Sequence, residues 1–255
     1  ALNDLWKFDA VHHTWEEIKS GVGAEAEAND NDACWPDARS FHRMIAVGQH
    51  LYVFGGCGTS GRLADLYQFD TVGKTWTSHG SAPDGFRGRG GANLVQTNPT
   101  TLAVVAGFAG EEMGDAILFD TAAESWADKR IVDCVSPRSV CISATVECKS
   151  GQDAAAHHAV LIFGGEVCPS DKGHEGAGNF ANDLVVLGAD GDHGDVTVKT
   201  KTILTQNGSS DDYPEWRGWS DGDACDNTLF FFGGLTGDDD SPKRLDDLWM
   251  CTYTP

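Results

Sequence analysis

Residues 164–180 read GGEVCPSDKGHEGAGNF, directly after the apolar run AVLIF, and bring Glu166, Asp171, His174 and Glu175 close together along the chain. Carboxylates and an imidazole in one loop can ligate a metal ion. Glycine-rich polar loops between strands, however, have the same composition for turn geometry alone. Four arginines form a second set: Arg39 in ARSFH, Arg89 in GRGGAN, Arg138 in PRSVCI and Arg217 in WRGWSD each stand before small and apolar residues. A planar guanidinium fork holds carboxylates, phosphates and sulfates through paired hydrogen bonds. Whether either set does chemistry depends on the elements that carry it.

The composition bounds those elements. A chain of 255 residues with 40% hydrophobic content and 31 glycines is the size of one large all-β domain. No apolar run approaches the ~20 residues of a membrane span. The formal net charge of −21 repels phosphate backbones and anionic surfaces, so nucleic acid and membrane insertion are excluded as partners. The FRGRG stretch at 86–90 is a single copy in an acidic chain and does not reverse this. The eight cysteines form no CxxC pair and read as free thiols of a reducing compartment. A zinc site at Cys134, Cys141 and Cys148 would need seven-residue gaps that match no common zinc spacing. With no basic, apolar leader in the sequence, the expected location is cytoplasmic.

One phrase recurs five times: NDLWKFD at 3, ADLYQFD at 64, GDAILFD at 114, NDLVVLG at 182 and DDLWMCT at 246. In the first three, the closing Asp9, Asp70 and Asp120 are followed six residues later by Trp15, Trp76 and Trp126. A turn and a second strand therefore travel with the phrase. Upstream of the last four copies lie apolar strands ending in small residues: LYVFGG, LAVVAGFAG, VLIFGG and LFFFGG. The arginine segments add another strand before each of these, making four strands per unit.

A glycine pair and a downstream Trp recurring near every ~50 residues is the pattern of kelch repeats, whose units are four-stranded propeller blades. The fold class expected is all-β, a six-bladed kelch β-propeller covering about four and a half blades. A segment on the order of 80 residues, judged from the repeat length, would be absent at the N-terminal side. The expected organisation is a single domain over 1–255 with units at approximately 1–19 (partial), 20–79, 80–129, 130–202 and 203–255.

The phrases ARSFHRM, LYVFGG, GRGGAN, PRSVCI, FGGEVCPSDKGHEGAGNF, RGW and LDDLW, in this order, resemble the nitrile-specifier, epithiospecifier and thiocyanate-forming proteins of glucosinolate-containing plants and their kelch relatives. The resemblance implies an Fe(II)-dependent, lyase-type protein that diverts an unstable sulfated thiohydroximate toward nitriles or thiocyanates. It implies Glu166, Asp171 and His174 as metal ligands, Trp219 as a pocket wall, and Arg39, Arg89, Arg138 and Arg217 as a cationic site for the substrate's sulfate. Glu166 and His174 stand where that family has them, whereas the family's aspartate position holds Ser170 and Asp171 follows one residue later. Carboxylates plus one imidazole with open positions suit Fe(II) better than a closed zinc site.

A structural role for the arginines has equal standing, with each paired to a repeated aspartate among Asp4, Asp65, Asp115, Asp183 and Asp247. Trp6, Trp15, Trp76, Trp126 and Trp249 sit at repeat positions and are expected in the core. The DGDD and DDD runs at 221–240 read as solvated turns. Two functions remain: a specifier-like protein acting on a small anionic substrate, or a non-catalytic protein–protein interaction propeller serving as adaptor or subunit.

Overall fold

The computed structural model describes residues 1–19, 34–148, 157–190, 197–203 and 213–254. Two compact units divide the chain, Ala1–Gly90 and Gly91–Pro255. The first holds a hairpin of β1 (Leu5–Asp9) and β2 (Thr14–Ile18), then a sheet of β3 (Arg43–Val47), β4 (His50–Gly58), β5 (Gly61–Asp70) and β6 (Thr75–Ser81). The second begins with β7 (Asn93–Asn98), β8 (Thr101–Phe108), β9 (Glu112–Asp120) and β10 (Ser125–Trp126). Its next sheet joins β11 (Ile142–Cys148), β12 (His157–Phe163), β15 (Leu184–Asp190) and β16 (Thr197–Ile203). Between β12 and β15 the chain inserts the small pair β13 (Glu166–Cys168) and β14 (Asn179–Phe180), with a 3-10 helix at Gly173–Glu175. The last sheet is β17 (Asp221–Cys225), β18 (Thr228–Gly237) and β19 (Pro242–Thr252).

All these pairings are antiparallel, and all but β12 with β15 join consecutive strands, as short hairpins dictate. The spacing between the closing aspartate and Trp has a local cause. Asp9 Oδ1 accepts the N–H groups of Val11 and His12 at 2.8 and 2.9 Å, and Asp120 Oδ1 accepts those of Ala122 and Ala123 at the same distances. These side-chain turns reverse the chain. They set Phe8 opposite Trp15, Phe69 opposite Trp76 and Phe119 opposite Trp126, with ring centroids 4.9, 5.0 and 5.1 Å apart.

The second strands β8 and β12 are apolar on both faces because both are covered, whereas on β18 one face leaves Phe230 and Phe232 exposed. On β12, Val160 and Ile162 pack with Val95, Ala103, Val105 and Ala116 of the preceding sheet. The alternate residues Leu161 and Phe163 pack with Leu229 and Phe231 of the following one. Trp6 and Trp15 depart from the core expectation, at 49% and 66% exposure. They lie on a two-stranded hairpin in which only Ile18 is buried, so no sheet face covers them.

The cysteines are free, as their spacing suggested, in the seven described side chains. Their environments differ: Cys134 and Cys141 are buried, whereas Cys168 and Cys225 are exposed. Burial, reinforced by Asp115, pushes the Cys134 thiol up to about 12. The thiolate is the reactive form. In native protein at neutral pH, a chromogenic disulfide reagent is therefore expected to modify Cys168 and Cys225 at least about a hundredfold faster than Cys134. Peptide mapping of the labelled protein reads that ratio.

Candidate functional site

Each repeat arginine is buried, with 5%, 0%, 1% and 0% exposure for Arg39, Arg89, Arg138 and Arg217. Three of them grip the phrase aspartate of their own sheet with both terminal nitrogens. Arg39 donates to Asp65 at 2.7 and 3.0 Å, Arg138 to Asp183 at 2.7 and 3.0 Å, and Arg217 to Asp247 at 2.6 and 2.9 Å. The same guanidinium groups donate to the carbonyls of Gly55, Gly164 and Gly233, each at 3.0 Å, and through Nε to the carbonyl two residues upstream. Arg138 also reaches the Ser136 hydroxyl, so all five of its donor hydrogens have acceptors. Arg217 and the Trp249 indole hold the Asp247 carboxyl down at about 2. Arg89 stacks over Phe86 with its guanidinium carbon 3.6 Å from the ring centroid, while Asp115 receives Arg130 at 3.0 Å.

The arginine backbones serve as links between consecutive repeats. The second small residue of each strand end donates its N–H to the next arginine's carbonyl: Gly56 to Arg89 at 2.9 Å, Gly107 to Arg138 at 2.8 Å and Gly165 to Arg217 at 2.9 Å. That approach requires the first residue to turn left-handed, and Gly55, Ala106, Gly164 and Gly233 have φ of 61°, 61°, 65° and 64°. Ala106 accepts the conformation without being glycine, at a steric cost of about 1 kcal/mol.

Two residues beyond each arginine the chain turns left-handed again, at Phe41, Gly91, Val140 and Trp219, with φ of 56°, 60°, 48° and 57°. Within the second unit these residues form a ladder: Val140 N–H donates to the Gly91 carbonyl at 2.8 Å, and Trp219 N–H to the Val140 carbonyl at 3.0 Å. A β-branched residue at positive φ is a strained choice, and such strain collects at functional sites. The ladder fixes where the Trp219 ring starts.

Glu166 follows the turn Gly164–Gly165 and exchanges both backbone hydrogen bonds with Ser139, at 2.9 and 2.8 Å. Its side chain is buried and accepts hydrogen bonds from Trp219 and the Ser170 backbone. Lost solvation raises its carboxyl above the ordinary range, and the neighbouring Asp239 raises it further. On the other side of Ser139, whose hydroxyl donates to Glu112 at 3.2 Å, burial pushes the Glu112 carboxyl up to about 8, with Glu166 adding to the rise. One oxygen each of Glu112 and Asp239 is buried without a hydrogen-bond partner among the described residues.

The sign of the pH effect follows from Glu112. A folded-state value above the ordinary 4.5 means that the folded protein holds a proton the unfolded chain releases. The associated stability is complete below 4.5 and is lost as pH rises through about 8. Glu112→Gln stays neutral throughout, so its urea midpoint is expected to fall less than the wild-type midpoint over that window. Parallel curves would mean that Glu112 is solvated.

Of the residues implied by resemblance, Glu166 and Trp219 are brought together. Asp171 is exposed, and the His174 side chain lies outside the described residues. At the position where the family has its aspartate, Ser170 donates its backbone N–H to Glu166 and accepts the Lys172 N–H on its hydroxyl at 3.0 Å. Among the described residues, no three His, Cys, Asp or Glu side chains are gathered as a metal-holding group. Glu112 and Asp239 were not foreseen as neighbours of Glu166. Glu112 and Asp239 each stand five residues beyond Gly107 and Gly234, the second small residue of their strand ends, whereas Glu166 follows Gly165 directly.

Residues 1–151 match the KLHDC2/KLHL20/DRC7 Kelch-repeats domain, and the chain belongs to the kelch-repeat family. A curated relative, the N-(sulfonatooxy)prop-2-enimidothioate sulfolyase of Thlaspi arvense, is 24% identical over 207 residues, which is 73% of this chain and 54% of that protein. The chain thus spans about half the length of that relative. The solved structure of YjhT superposes with a TM-score of 0.64 at 15% identity, covering 98% of this chain and 72% of that one. The fold is that of a kelch β-propeller. No helix among the described residues is long and apolar enough to cross a membrane.

Proposed function

We propose that this kelch domain is specifier-like: the loop 166–176 and Trp219 form a small-molecule site for a sulfated thiohydroximate or a related anionic substrate. Fe(II) would be held there by Glu166, Asp171 and His174. The observation that carries the reading is the meeting of Glu166 and Trp219, distant in sequence and matched independently to that family's metal loop and pocket wall. The sulfolyase named among the relatives supports the same substrate class. Two carboxylates and an imidazole with positions left open would suit Fe(II). When bound, the ion would supply a Lewis acid for substrate sulfur or nitrogen.

In this reading the protein's own groups bind and orient. The Trp219 indole, fixed by the left-handed turn and its bond to Glu166, walls the pocket and excludes water. Arg39, Arg89, Arg138 and Arg217 act through position: the Arg217 backbone sets Trp219, and the Arg138 backbone sets Ser139 and hence Glu166. Anaerobic titration with Fe(II) is expected to reach one ion per chain. Glu166→Gln and His174→Ala should each weaken binding by about 10- to 100-fold. Unchanged metal content in both variants overturns the reading.

One observation favours the second reading, a non-catalytic interaction propeller. Arg39, Arg138 and Arg217 spend their guanidinium donors on aspartates and carbonyls, which leaves the acidic loops to dominate the surface. A stoichiometric partner in native purification, lost when Asp238, Asp239 and Asp240 are neutralised, is the result expected from it. A monodisperse monomer at native concentration counts against it.

A further inference from the structure

The turn between β18 and β19, residues 238–241, carries three consecutive aspartates, and each has a different task. Asp238 builds the turn: its Oδ1 accepts the N–H groups of Asp240 and Ser241 at 2.9 and 2.8 Å. Asp240 holds the turn against the loop 166–176, because Lys172 Nζ donates to Asp240 Oδ1 at 2.9 Å and to the Asp239 carbonyl at 2.7 Å. Lys172 thus takes the side chain of Asp240 and only the main chain of Asp239. The Asp239 Oδ1 atom is buried with no hydrogen-bond partner among the described residues.

That oxygen points into the loop. A Cβ built on Gly176 would lie 2.0 Å from Ser170 Oγ and 2.4 Å from Asp239 Oδ1, so the two oxygens flank one space that only the absence of a side chain keeps open. Gly176 has φ of −101° and ψ of −178°, extended backbone that any residue adopts. Glycine stands there for room. Ser170 joins this space to Glu166, whose carboxylate accepts the Ser170 N–H, and the charge of Asp239 acts on Glu166 directly. Glu166 uses two acceptor sites, on Trp219 and Ser170, where a carboxylate offers about four. Two carboxylates turned toward each other away from water are unfavourable unless a cation joins them. Asp171, by contrast, is exposed.

Resting on the reading of the loop 166–176 as a metal site, we propose that Asp239 is a ligand of that ion beside Glu166, ahead of the exposed Asp171. The ion is then held between the loop of one repeat and the hairpin turn of the next. Its charge offsets the repulsion between Glu166 and Asp239, and the oxygen donors of both suit a divalent cation such as Fe(II). Lys172 is a positioning residue, which brings the turn to the loop without neutralising Asp239 by a hydrogen bond.

Anaerobic equilibrium dialysis of Fe(II) against the 255-residue protein is the test. Asp239→Asn, nearly isosteric, is expected to weaken binding about tenfold or more, and Asp171→Asn by less than about threefold. Gly176→Ala, which sets a methyl group between Ser170 Oγ and Asp239 Oδ1, is expected to weaken binding as Asp239→Asn does. Without metal, Asp239→Asn should keep the wild-type urea midpoint or exceed it, so that lost binding is not lost folding. Asp239→Cys loaded with Co(II) separates a ligand from a neighbour of one: it is expected to gain a thiolate-to-metal charge-transfer band over the wild-type protein, whereas Asp171→Cys is not. Wild-type affinity in Asp239→Asn, with the ion lost in Glu166→Gln, overturns Asp239 as a ligand and leaves the metal loop standing. Co(II) bound to Asp239→Cys without the band overturns it in the same way. Failure of the wild-type protein to bind Fe(II) overturns both.

Discussion

Arg138→Met is expected to lower unfolding free energy by about 3–5 kcal/mol, a large share of the roughly 5–15 kcal/mol typical of a domain. The Arg138 side chain is 2% exposed and its donors reach Asp183, Ser136 and the Gly164 carbonyl. Methionine fills much of the volume and makes none of these bonds, leaving Asp183 with a desolvated charge and Gly164 with an orphaned acceptor. Asp183→Asn should cost less, because Asp183 is 21% exposed and keeps a partial dipole toward the guanidinium. Combining Arg138→Met with Asp183→Leu should recover part of the loss, since the uncompensated charge goes with the carboxylate. Urea denaturation of the three variants measures these differences. A loss below about 1 kcal/mol for Arg138→Met would show a solvent-screened pair and remove the structural role assigned to it.

Gly164→Ala is the second substitution with a large expected effect, about 2–4 kcal/mol. A Cβ built there lies 2.3 Å from the Arg217 carbonyl oxygen, on a residue with φ of 65°. The carbonyl is backbone and already accepts the Gly165 N–H, so it cannot move aside without breaking the link between repeats. Any displacement passes to Trp219, two residues beyond Arg217, and so to Glu166. Gly188→Ala on β15 is the control: its Cβ would meet nothing within 4 Å, and a change within about ±0.5 kcal/mol is expected. Equal melting temperatures for the two variants would mean that the Gly164 turn can repack around a methyl group.

Much of the fold was legible because its rules are local. The five aspartate phrases became strands, the closing aspartates became the turns that set each Trp opposite a Phe, and the glycine pairs became left-handed bends. Less of the site was legible. Glu166 and Trp219 were named from motif resemblance and do meet, yet Glu112, on which Glu166 acts, drew no notice in the sequence, and Asp239, which acts on Glu166, sits in a run that read as a solvated turn. Their burial depends on what neighbouring repeats place beside them, and no window of sequence contains that information.

The sequence by itself determined the repeat, the kelch class, the absence of a long apolar span and the residue types available for chemistry, because these rest on periodicity and composition. It left the arginines undecided between a sulfate and an aspartate, since both present two oxygens to the same planar fork. Only the tertiary structure decided where Arg39, Arg138 and Arg217 put their donors. It did so by bringing Asp65, Asp183 and Asp247 within 2.6–2.7 Å in places where an unpaired carboxylate or guanidinium would be costly to bury.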